Sequence, residues 1–209
     1  AMFRDSPPEV VCLQARLNYY NYDRNLLTRL FALEYASWFD FMLPGLQRLG
    51  IPIPLGGTSN HIALARLREL GEWDPYNVTE DADLGTRLSA MGLRTVMLDS
   101  YTLEEATNQL FLWIRQRSRW IKGYMQTWLV HMRRPDVLFQ ELGPVGFFGF
   151  QFFIGFSSLV YITAPLVWTL TLLIVFKVEA LQRLPFPDWL GGLALCNMVL
   201  HFLASWIQA

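Results

Sequence analysis

Two apolar stretches near the end of the chain dominate its hydrophobic pattern. Residues 145–176 contain no charged side chain, and residues 189–209 form a second apolar run. The first is longer than the roughly 20 residues that a helix needs to cross a bilayer, and the second is about that long. A buried core helix of a large soluble protein is the alternative, but helices this long and apolar on all sides are typical of membrane spans. The pattern predicts two transmembrane helices, at about 152–176 and 189–209, after a surface-lying approach at about 143–151.

Upstream of this apolar region, short strands alternate with helices. Apolar runs predict strands at 10–16 and 93–98. Residues 51–55 are extended, because each proline there disfavours the helical region for the residue before it, and residues 56–60 form a turn. Apolar residues at helical spacing, with capping and stop signals, predict helices at 25–49, 63–70, 79–92 and 107–133. Interleaved strands and helices of this kind favour an α/β domain.

These patterns divide the chain into three parts. We expect an α/β domain at 1–106, an amphipathic helix at the membrane surface at 107–142, and a transmembrane region at 143–209. Residues 1–9 are polar and rich in proline, so no secretory signal is expected there. A pair of arginines precedes the first predicted span, which by the positive-inside rule puts the N-terminal part in the cytosol. We therefore expect a multi-pass protein of the plasma (inner) membrane with its polar part in the cytosol.

The composition narrows the class of protein. Of the 209 residues, 53% are hydrophobic, 15% are aromatic and 17% are charged, and the formal net charge is −1. This excludes a disordered chain and a polycationic nucleic-acid binder, so no nucleic-acid partner is expected. Three histidines and two cysteines do not support a zinc module or a disulfide scaffold. Cys12 and Cys196 lie far apart in unlike surroundings and are expected to be free thiols.

Charge is segregated along the chain. Positions 69 to 83 contain six acidic residues and no lysine or arginine: Glu69, Glu72, Asp74, Glu80, Asp81 and Asp83. Positions 115 to 134 contain six basic residues and no acid: Arg115, Arg117, Arg119, Lys122, Arg133 and Arg134. A site that takes up a proton beside one that holds an anionic group would need such segregation. A solvated acidic loop near a basic, membrane-facing helix is the alternative.

The helix at 107–133 has an unusual polar face. At about 100° per residue, Gln116, Arg119, Trp120 and Gly123 share one side, opposite an apolar stripe. A guanidinium can grip phosphate oxygens, an amide can add a neutral donor, and an indole can stack on a sugar ring. The glycine leaves room for a ligand or another backbone. An interfacial anchor is the alternative for the other tryptophans and arginines of this helix, but it does not explain why these polar groups converge.

The helix at 79–92 begins with acidic residues. Thr79 is a plausible N-cap, and Glu80 and Asp81 in the first turn favourably meet the positive end of the helix dipole. Asp83 follows closely, and we expect mutual repulsion among the three acids to raise the proton affinity of one of them. A general base requires a carboxylate of this kind.

These two helices carry a resemblance to a known family. Thr79-Glu80-Asp81 and the run from Gln116 to Trp120 resemble the TED and Q(Q/R)xRW motifs of membrane-embedded, processive family 2 glycosyltransferases. Cellulose, chitin, hyaluronan and poly-N-acetylglucosamine synthases belong to that group. The resemblance implies a GT-A type fold, of which residues 1–106 would be the C-terminal half. It also implies transfer of a sugar from a nucleotide-sugar donor to a growing glycan with inversion at the anomeric carbon.

The resemblance assigns the acceptor side of the reaction to two segments. Asp81 would be the base that deprotonates the acceptor hydroxyl, and Glu80 would shape its surroundings. The turn at 56–60 stands where the family has a small-residue loop at the acceptor end, and its candidate substrate-binding residues are Gly57, Thr58 and Asn60.

The resemblance assigns the donor and the growing glycan to the other motif. Gln116 and Arg119 would hold the donor pyrophosphate, and Trp120 would stack on the terminal sugar of the glycan. Arg117 occupies the position where the family varies between glutamine and arginine, and it is a further candidate for substrate binding.

The resemblance also sets expectations about what lies outside this chain. The family uses Mg²⁺ or Mn²⁺, held by a DxD-type motif in a nucleotide-binding half, so the metal ligands are expected upstream and this chain alone is expected to be inactive. A uridine diphosphate sugar is the expected donor. A non-catalytic, membrane-anchored glycan conduit or assembly partner of similar shape is the alternative function. A transporter subunit would need more polar groups in the spans than this chain has.

Overall fold

Three strands form a mixed sheet in the N-terminal part of the chain. The computed structural model describes residues 6–175 and Gly192 of the whole chain. Strand β1 (Val10–Tyr19) lies in the centre. It pairs antiparallel with β2 (Asn60–Ile62) and parallel with β3 (Arg94–Glu104). Mixed α/β structure is thus confirmed. Both predicted strands are confirmed but longer than predicted, because they pair with each other along their length.

The main core lies against β1. Because β1 is the central strand and is covered by helices, nearly all of its side chains are buried. Val11, Cys12 and Leu17 of β1 form this core with apolar residues from the helical segments and from the extended segment 51–55: Phe39, Leu43, Leu46, Ile53, Leu55, Leu67, Leu84 and Leu88. Cys12 is free, and burial raises the pKa of its thiol to about 12, so it is a packing residue in this structure.

The long predicted helix at 25–49 is confirmed, with a change of winding in the middle. It consists of α1 (Leu26–Ala36), a π-helical segment (Ser37–Met42) and α2 (Leu43–Leu49). Asn25 caps α1 with a capping box, in which its side chain accepts from the Thr28 N–H at 2.9 Å. The π segment ends two residues before Pro44, which has no N–H to donate and whose ring would clash with the preceding turn.

Two further helices complete the α/β part. They are α3 (Leu64–Glu69) and α4 (Glu80–Ala90), close to the predicted positions. Thr79 stands at the N-terminal boundary of α4 as predicted, but its side chain makes no capping hydrogen bond. Gly92 follows α4 with a φ of 71°, which explains why the helix stops there.

A long helix and an apolar helical segment follow. Helix α5 (Leu110–His131) confirms the predicted helix at 107–133. Helix α6 (Pro135–Phe150) is kinked at Gly143, which has a φ of 66° and a ψ of 175°, and it continues as a π-helical segment (Gln151–Phe156). The non-helical conformation of Gly143, where the predicted surface approach at 143–151 begins, separates two helical parts of this segment, and the approach along the membrane surface stays a prediction.

Membrane-spanning potential can be judged only for the described residues. Among them, Pro135–Phe156 is the helical segment that is long and apolar enough to cross a bilayer. Inter-residue contacts divide the chain after Ser158. Of the second unit the structure describes residues 159–175, the larger part of α7 (Ser157–Val175), and Gly192. The predicted span at 152–176 is thus helical where it is described, whereas the predicted span at 189–209 lies outside the described residues apart from Gly192.

The packing of α4 against the extended segment predicts a severe effect at one glycine. A Cβ on Gly85 would collide with the backbone carbonyl oxygen of Ile53, whereas a Cβ on Gly45 in α2 would have no heavy atom within 4 Å. We expect Gly85→Ala to lower the free energy of unfolding of the complete protein by about 3 kcal/mol, because the backbone must move. Gly45→Ala is the control and should raise it by about 0.5–1 kcal/mol. Thermal unfolding in detergent measures both, and equal midpoints for the two variants would contradict the packing.

Candidate active site

The carboxylate of Asp81 lies in the first turn of α4 beside the loop at 56–60. A Cβ on Gly57 would be 3.3 Å from Oδ2 of Asp81, and the Ala82 N–H donates to Oδ1 at 2.7 Å. Burial is the largest influence on the Asp81 carboxyl and raises its pKa from 3.8 to about 6. The Ala82 N–H opposes this rise and the charge of Glu80 adds to it. The carboxylate is therefore ionised at neutral pH but more basic than an ordinary aspartate, as a general base should be.

Asp83 has the opposite environment although it lies on the same helix. Its buried carboxylate accepts from Nε of Arg87 at 2.7 Å and lies 2.9 Å from Nε2 of His131. Burial alone would raise the pKa of Asp83, but the His131 hydrogen bond and the Arg87 charge together lower it below 3.8. Asp83 thus joins α4 to the end of α5. The expected repulsion among three acids contributes through Glu80 but is not the main cause, because burial has the largest effect on Asp81 and Asp83 is paired elsewhere.

The loop at 56–60 is held by a residue that the sequence reasoning missed. Gln14 of β1 is fully buried; its Oε1 accepts from the Gly56 N–H at 3.0 Å, and its Nε2 donates to the Thr58 carbonyl at 3.0 Å. A buried amide that satisfies backbone groups on both sides of a turn fixes the turn, because leaving either group unpaired costs about 1–3 kcal/mol. The sequence feature that could have indicated this role is the amide of Gln14 within the otherwise apolar run of the central strand.

Strand β3 holds the other side of the loop. The Thr58 hydroxyl donates to a carboxylate oxygen of Glu104, and the Ser59 and Thr102 hydroxyls are hydrogen-bonded at 2.6 Å. Nδ2 of Asn60 donates to the Gly56 carbonyl within the loop at 2.7 Å. The three predicted loop residues are therefore near one another, with Gly57 facing Asp81 and the side chains of Thr58 and Asn60 supporting the loop itself.

Two predicted ligand residues of α5 are uncommitted. Arg119 is exposed and Gln116 is half-buried. Neither side chain makes a hydrogen bond or ion pair with another residue in the part of the chain that the structure describes. A guanidinium and an amide that are not already paired are available to a ligand.

The other two residues of this motif belong to an aromatic cluster. Trp120 is half-buried, with its ring centroid 6.0 Å from that of Phe31 and 6.4 Å from that of Tyr35. The Arg117 guanidinium lies 5.0 Å from the Trp120 ring centroid and 4.9 Å from that of Phe31, and it forms an ion pair with Glu34. Arg117 thus links α5 to α1, and the Trp120 ring packs on one side against the aromatic rings of α1.

A close contact joins the start of α4 to α5. A Cβ on Gly123 would lie 2.5 Å from both Oγ1 and Cγ2 of Thr79. We expected the missing side chain at Gly123 to leave room for a ligand or another backbone, and the Thr79 side chain fills this space. Next to it, Oδ1 of Asn77 accepts from the Thr79 N–H at 3.1 Å and Nδ2 of Asn77 donates to Oγ1 of Thr127 at 2.7 Å.

Continuous packing links the two halves of the candidate site. The loop beside Asp81 contacts Phe39 through Gly56, where a Cβ would be 2.9 Å from Cζ of Phe39. The Phe39 ring centroid is 5.5 Å from that of Tyr35, which in turn neighbours Trp120. The proposed base and the indole are therefore connected through one row of side chains, to which α1 and its π segment contribute.

The described residues do not fit a divalent cation. Among them, no three side chains of histidine, cysteine, aspartate or glutamate form a possible ligand group. Asp81 and Asp83 have the spacing of a DxD motif, but Asp81 lies beside the loop whereas Asp83 is paired with Arg87 and His131.

Comparisons with known proteins agree with the motif assignment at the level of the family. A family model described as glycosyl transferase family group 2 matches residues 1–207. The chain is also 30% identical over 120 residues to a protein of Arabidopsis thaliana named probable glucomannan 4-beta-mannosyltransferase 10. That match covers 56% of this chain but only 21% of the plant protein. The chain thus corresponds to a small part of that relative.

The raised pKa of Asp81 predicts a pH-dependent gain in stability when its charge is removed. Its folded-state pKa of about 6 lies above 3.8, so ionisation destabilises the folded state above pH 6 and this cost disappears towards pH 4. At pH 7 we expect the free energy of unfolding of Asp81→Asn to exceed that of the wild type by at most about 3 kcal/mol, at about 1.4 kcal/mol per pH unit. At pH 4 the two free energies should be equal. Denaturant unfolding of the complete protein in detergent measures this, with the exposed Asp23→Asn as control. A constant difference between pH 4 and pH 7 would contradict the prediction.

Proposed function

The chain belongs to glycosyl transferase family group 2, and we propose that it contributes the acceptor side of a membrane-bound, inverting glycosyltransferase. This enzyme transfers a sugar from a nucleotide-sugar donor, a uridine diphosphate sugar, to a growing polysaccharide or glycolipid at the cytosolic membrane face. The main support is the half-buried carboxylate of Asp81, with its pKa of about 6. It lies beside a fixed loop, at the start of a helix that is docked on the Q(Q/R)xRW helix.

Asp81 is the general base in this proposal. As the acceptor oxygen forms a bond to the anomeric carbon, its proton passes to the Asp81 carboxylate. The bond from that carbon to the donor phosphate oxygen breaks, and the nucleoside diphosphate leaves with the bonding electrons. One displacement inverts the anomeric centre. A base with a pKa near 6 is suited to this step, because it is ionised at neutral pH and still accepts a proton more readily than an ordinary aspartate. Glu80 contributes negative charge beside it.

Gln116 and Arg119 hold the donor diphosphate. Both side chains are uncommitted within the described part of the chain. Negative charge grows on the leaving group as the sugar departs, and a guanidinium stabilises it more strongly than a neutral donor does. The divalent cation expected for the complete enzyme, Mg²⁺ or Mn²⁺, would be bound by residues other than those described.

Trp120 stacks on the terminal sugar of the glycan. Its ring is kept in place by Phe31, Tyr35 and the Arg117 guanidinium, so little ordering entropy is lost when a sugar binds. Arg117 acts through Trp120 in this scheme and reaches the substrate only indirectly. The loop residues Gly57, Thr58 and Asn60 delimit the acceptor end. The name of the plant relative, a glucomannan mannosyltransferase, supports transfer of a hexose to a polysaccharide.

Exposed apolar surface supports the membrane part of the proposal. In α6 and the π segment after it, Phe148, Phe152 and Phe156 are more than half exposed. At the start of α5, Leu110 and Phe111 are also exposed, Phe111 to 81%, as expected for a helix that lies at the bilayer surface. We propose that both surfaces contact lipid and that the predicted spans at 152–176 and 189–209 cross the plasma (inner) membrane.

Asp81→Asn in the complete enzyme should separate catalysis from donor binding. We expect transfer to fall by at least about 100-fold, because a proton-transfer group is lost, while binding of the donor nucleotide stays within about twofold. Labelled-sugar incorporation and equilibrium nucleotide binding, both in native membranes, measure the two effects. Unchanged polymer synthesis would instead favour the alternative, a non-catalytic conduit or assembly partner. Parallel loss of binding and transfer would make Asp81 a structural residue.

Trp120→Ala should affect the acceptor more than the donor. We expect incorporation into glycan to fall more steeply than hydrolysis of the donor, because only the first reaction needs the stacked acceptor sugar. Trp113→Ala is the matched control, since Trp113 packs in the same aromatic cluster and contacts Arg117 but has no proposed role. Equal losses of both reactions in Trp120→Ala, or the same pattern in Trp113→Ala, would contradict stacking.

A further inference from the structure

We propose that Asn77 is a positioning residue of the reaction: through Thr127 it sets where the Asp81 carboxylate stands relative to the ligand-binding face of α5. This inference rests on the proposed function, in which Asp81 is the base. Asn77 lies two positions before Thr79, the first residue of the TED motif, and belongs to neither motif.

Both ends of the Asn77 side chain are used. Asn77 is 6% exposed and Thr127 is fully buried. Oδ1 of Asn77 accepts from the Thr79 N–H at 3.1 Å, and Nδ2 donates to Oγ1 of Thr127 at 2.7 Å. A buried hydrogen bond between two side chains costs more to lose than a solvated one, because water does not replace the missing partner. The amide is therefore a defined link between the two helices.

The link joins the two groups of residues that the reaction must bring together. Asp81 is two residues after Thr79, whose N–H Asn77 holds. Thr127 is about two turns after Trp120 and lies on the same side of α5 as Gln116. The Thr79 hydroxyl does not cap α4, and its oxygen is buried without a hydrogen bond to any described residue. The start of α4 is consequently positioned by Asn77, in place of a cap of its own.

A second contact limits the distance between the start of α4 and α5 from the other direction. The Thr79 side chain rests on Gly123, which prevents the start of α4 from approaching α5 any closer. The hydrogen bond from Asn77 to Thr127 opposes movement of this first turn away from α5, while the contact of Asp83 with His131 holds α4 to the end of α5. If that bond is lost, the first turn of α4 can move out, and Asp81 becomes better solvated and misaligned with a donor that is still held by α5.

This argument predicts a specific kinetic result for Thr127→Val, which preserves the shape of the side chain but removes the acceptor for Asn77. In the complete enzyme we expect kcat to fall roughly 10- to 100-fold, because a displacement of about 1 Å can cost that much. The KM for the donor should stay within about twofold. The acidic limb of the kcat pH profile should move from near pH 6 towards pH 4, since solvation lowers the pKa of the base.

Two control variants separate positioning from general damage. Thr127→Ser retains the hydroxyl and should restore both kcat and the acidic limb. Thr86→Val removes a buried threonine hydroxyl of α4 that, within the described part of the chain, bonds to the Ala82 carbonyl, and it should leave the pH profile as in the wild type. All kcat values are referred to the number of donor-binding sites, so that a loss of folded protein does not enter.

Each outcome decides the inference. Wild-type kcat in Thr127→Val, a lower kcat without movement of the acidic limb, or the same change in Thr86→Val would overturn it. Gly123→Ala tests the same contact from the other side, since the new methyl group pushes on Thr79 and should move the limb in the same direction. Asp81→Asn identifies a failure of the proposed function: if that variant still transfers sugar, the base assignment is wrong whatever Thr127→Val shows. If it is inactive while Thr127→Val is normal, only the positioning role fails.

Discussion

The contact between Thr79 and Gly123 sets how closely the start of α4 approaches α5. A side chain larger than hydrogen at position 123 would overlap Thr79, and any withdrawal of α4 would break the buried bond between Asn77 and Thr127. The two helices carry the two motifs on which the family assignment first rested. At the start of α4 their relative position therefore depends on one glycine and one amide, while Asp83 and His131 join the two helices farther along. Such contacts are sensitive because protein interiors are close-packed.

The pKa values of the acids of α4 differ because of their environments and not because of their residue type. Asp81 and Asp83 are chemically identical and stand two residues apart. Asp81 is half-buried beside a loop and forms no hydrogen bond or ion pair with a cationic side chain of the described residues, and its pKa rises. Asp83 is paired with Arg87 and His131, and its pKa falls. Because successive positions of a helix point in different directions, two neighbouring carboxylates can serve a proton-transfer role and a structural role.

The loop beside Asp81 is held in place by hydrogen bonds from two strands. Gln14 binds backbone groups of the loop from the central strand, while β3 binds two of its hydroxyl side chains. On the opposite side, the aromatic rings around Trp120 and the ion pair of Arg117 with Glu34 fix the indole. A site that is built in this way on strands and helices meets its substrate with little reorganisation, which is a requirement for efficient proton transfer and displacement.

The sequence by itself determined the positions of the long elements and the family. Periodicity and terminal signals are local, so the helices at 25–49, 79–92 and 107–133 and the two long strands could be predicted, and the two motifs pointed to glycosyl transfer. The three-residue strand β2, the π segment before Pro44, and the roles of Gln14 and Asn77 could not be predicted. Each depends on a partner distant in the chain or on a backbone distortion, and Asn77 lies 50 residues before the threonine that it binds. Only tertiary structure decides which buried polar groups meet, because a hydrogen bond depends on distances and angles that residue spacing along one chain does not specify.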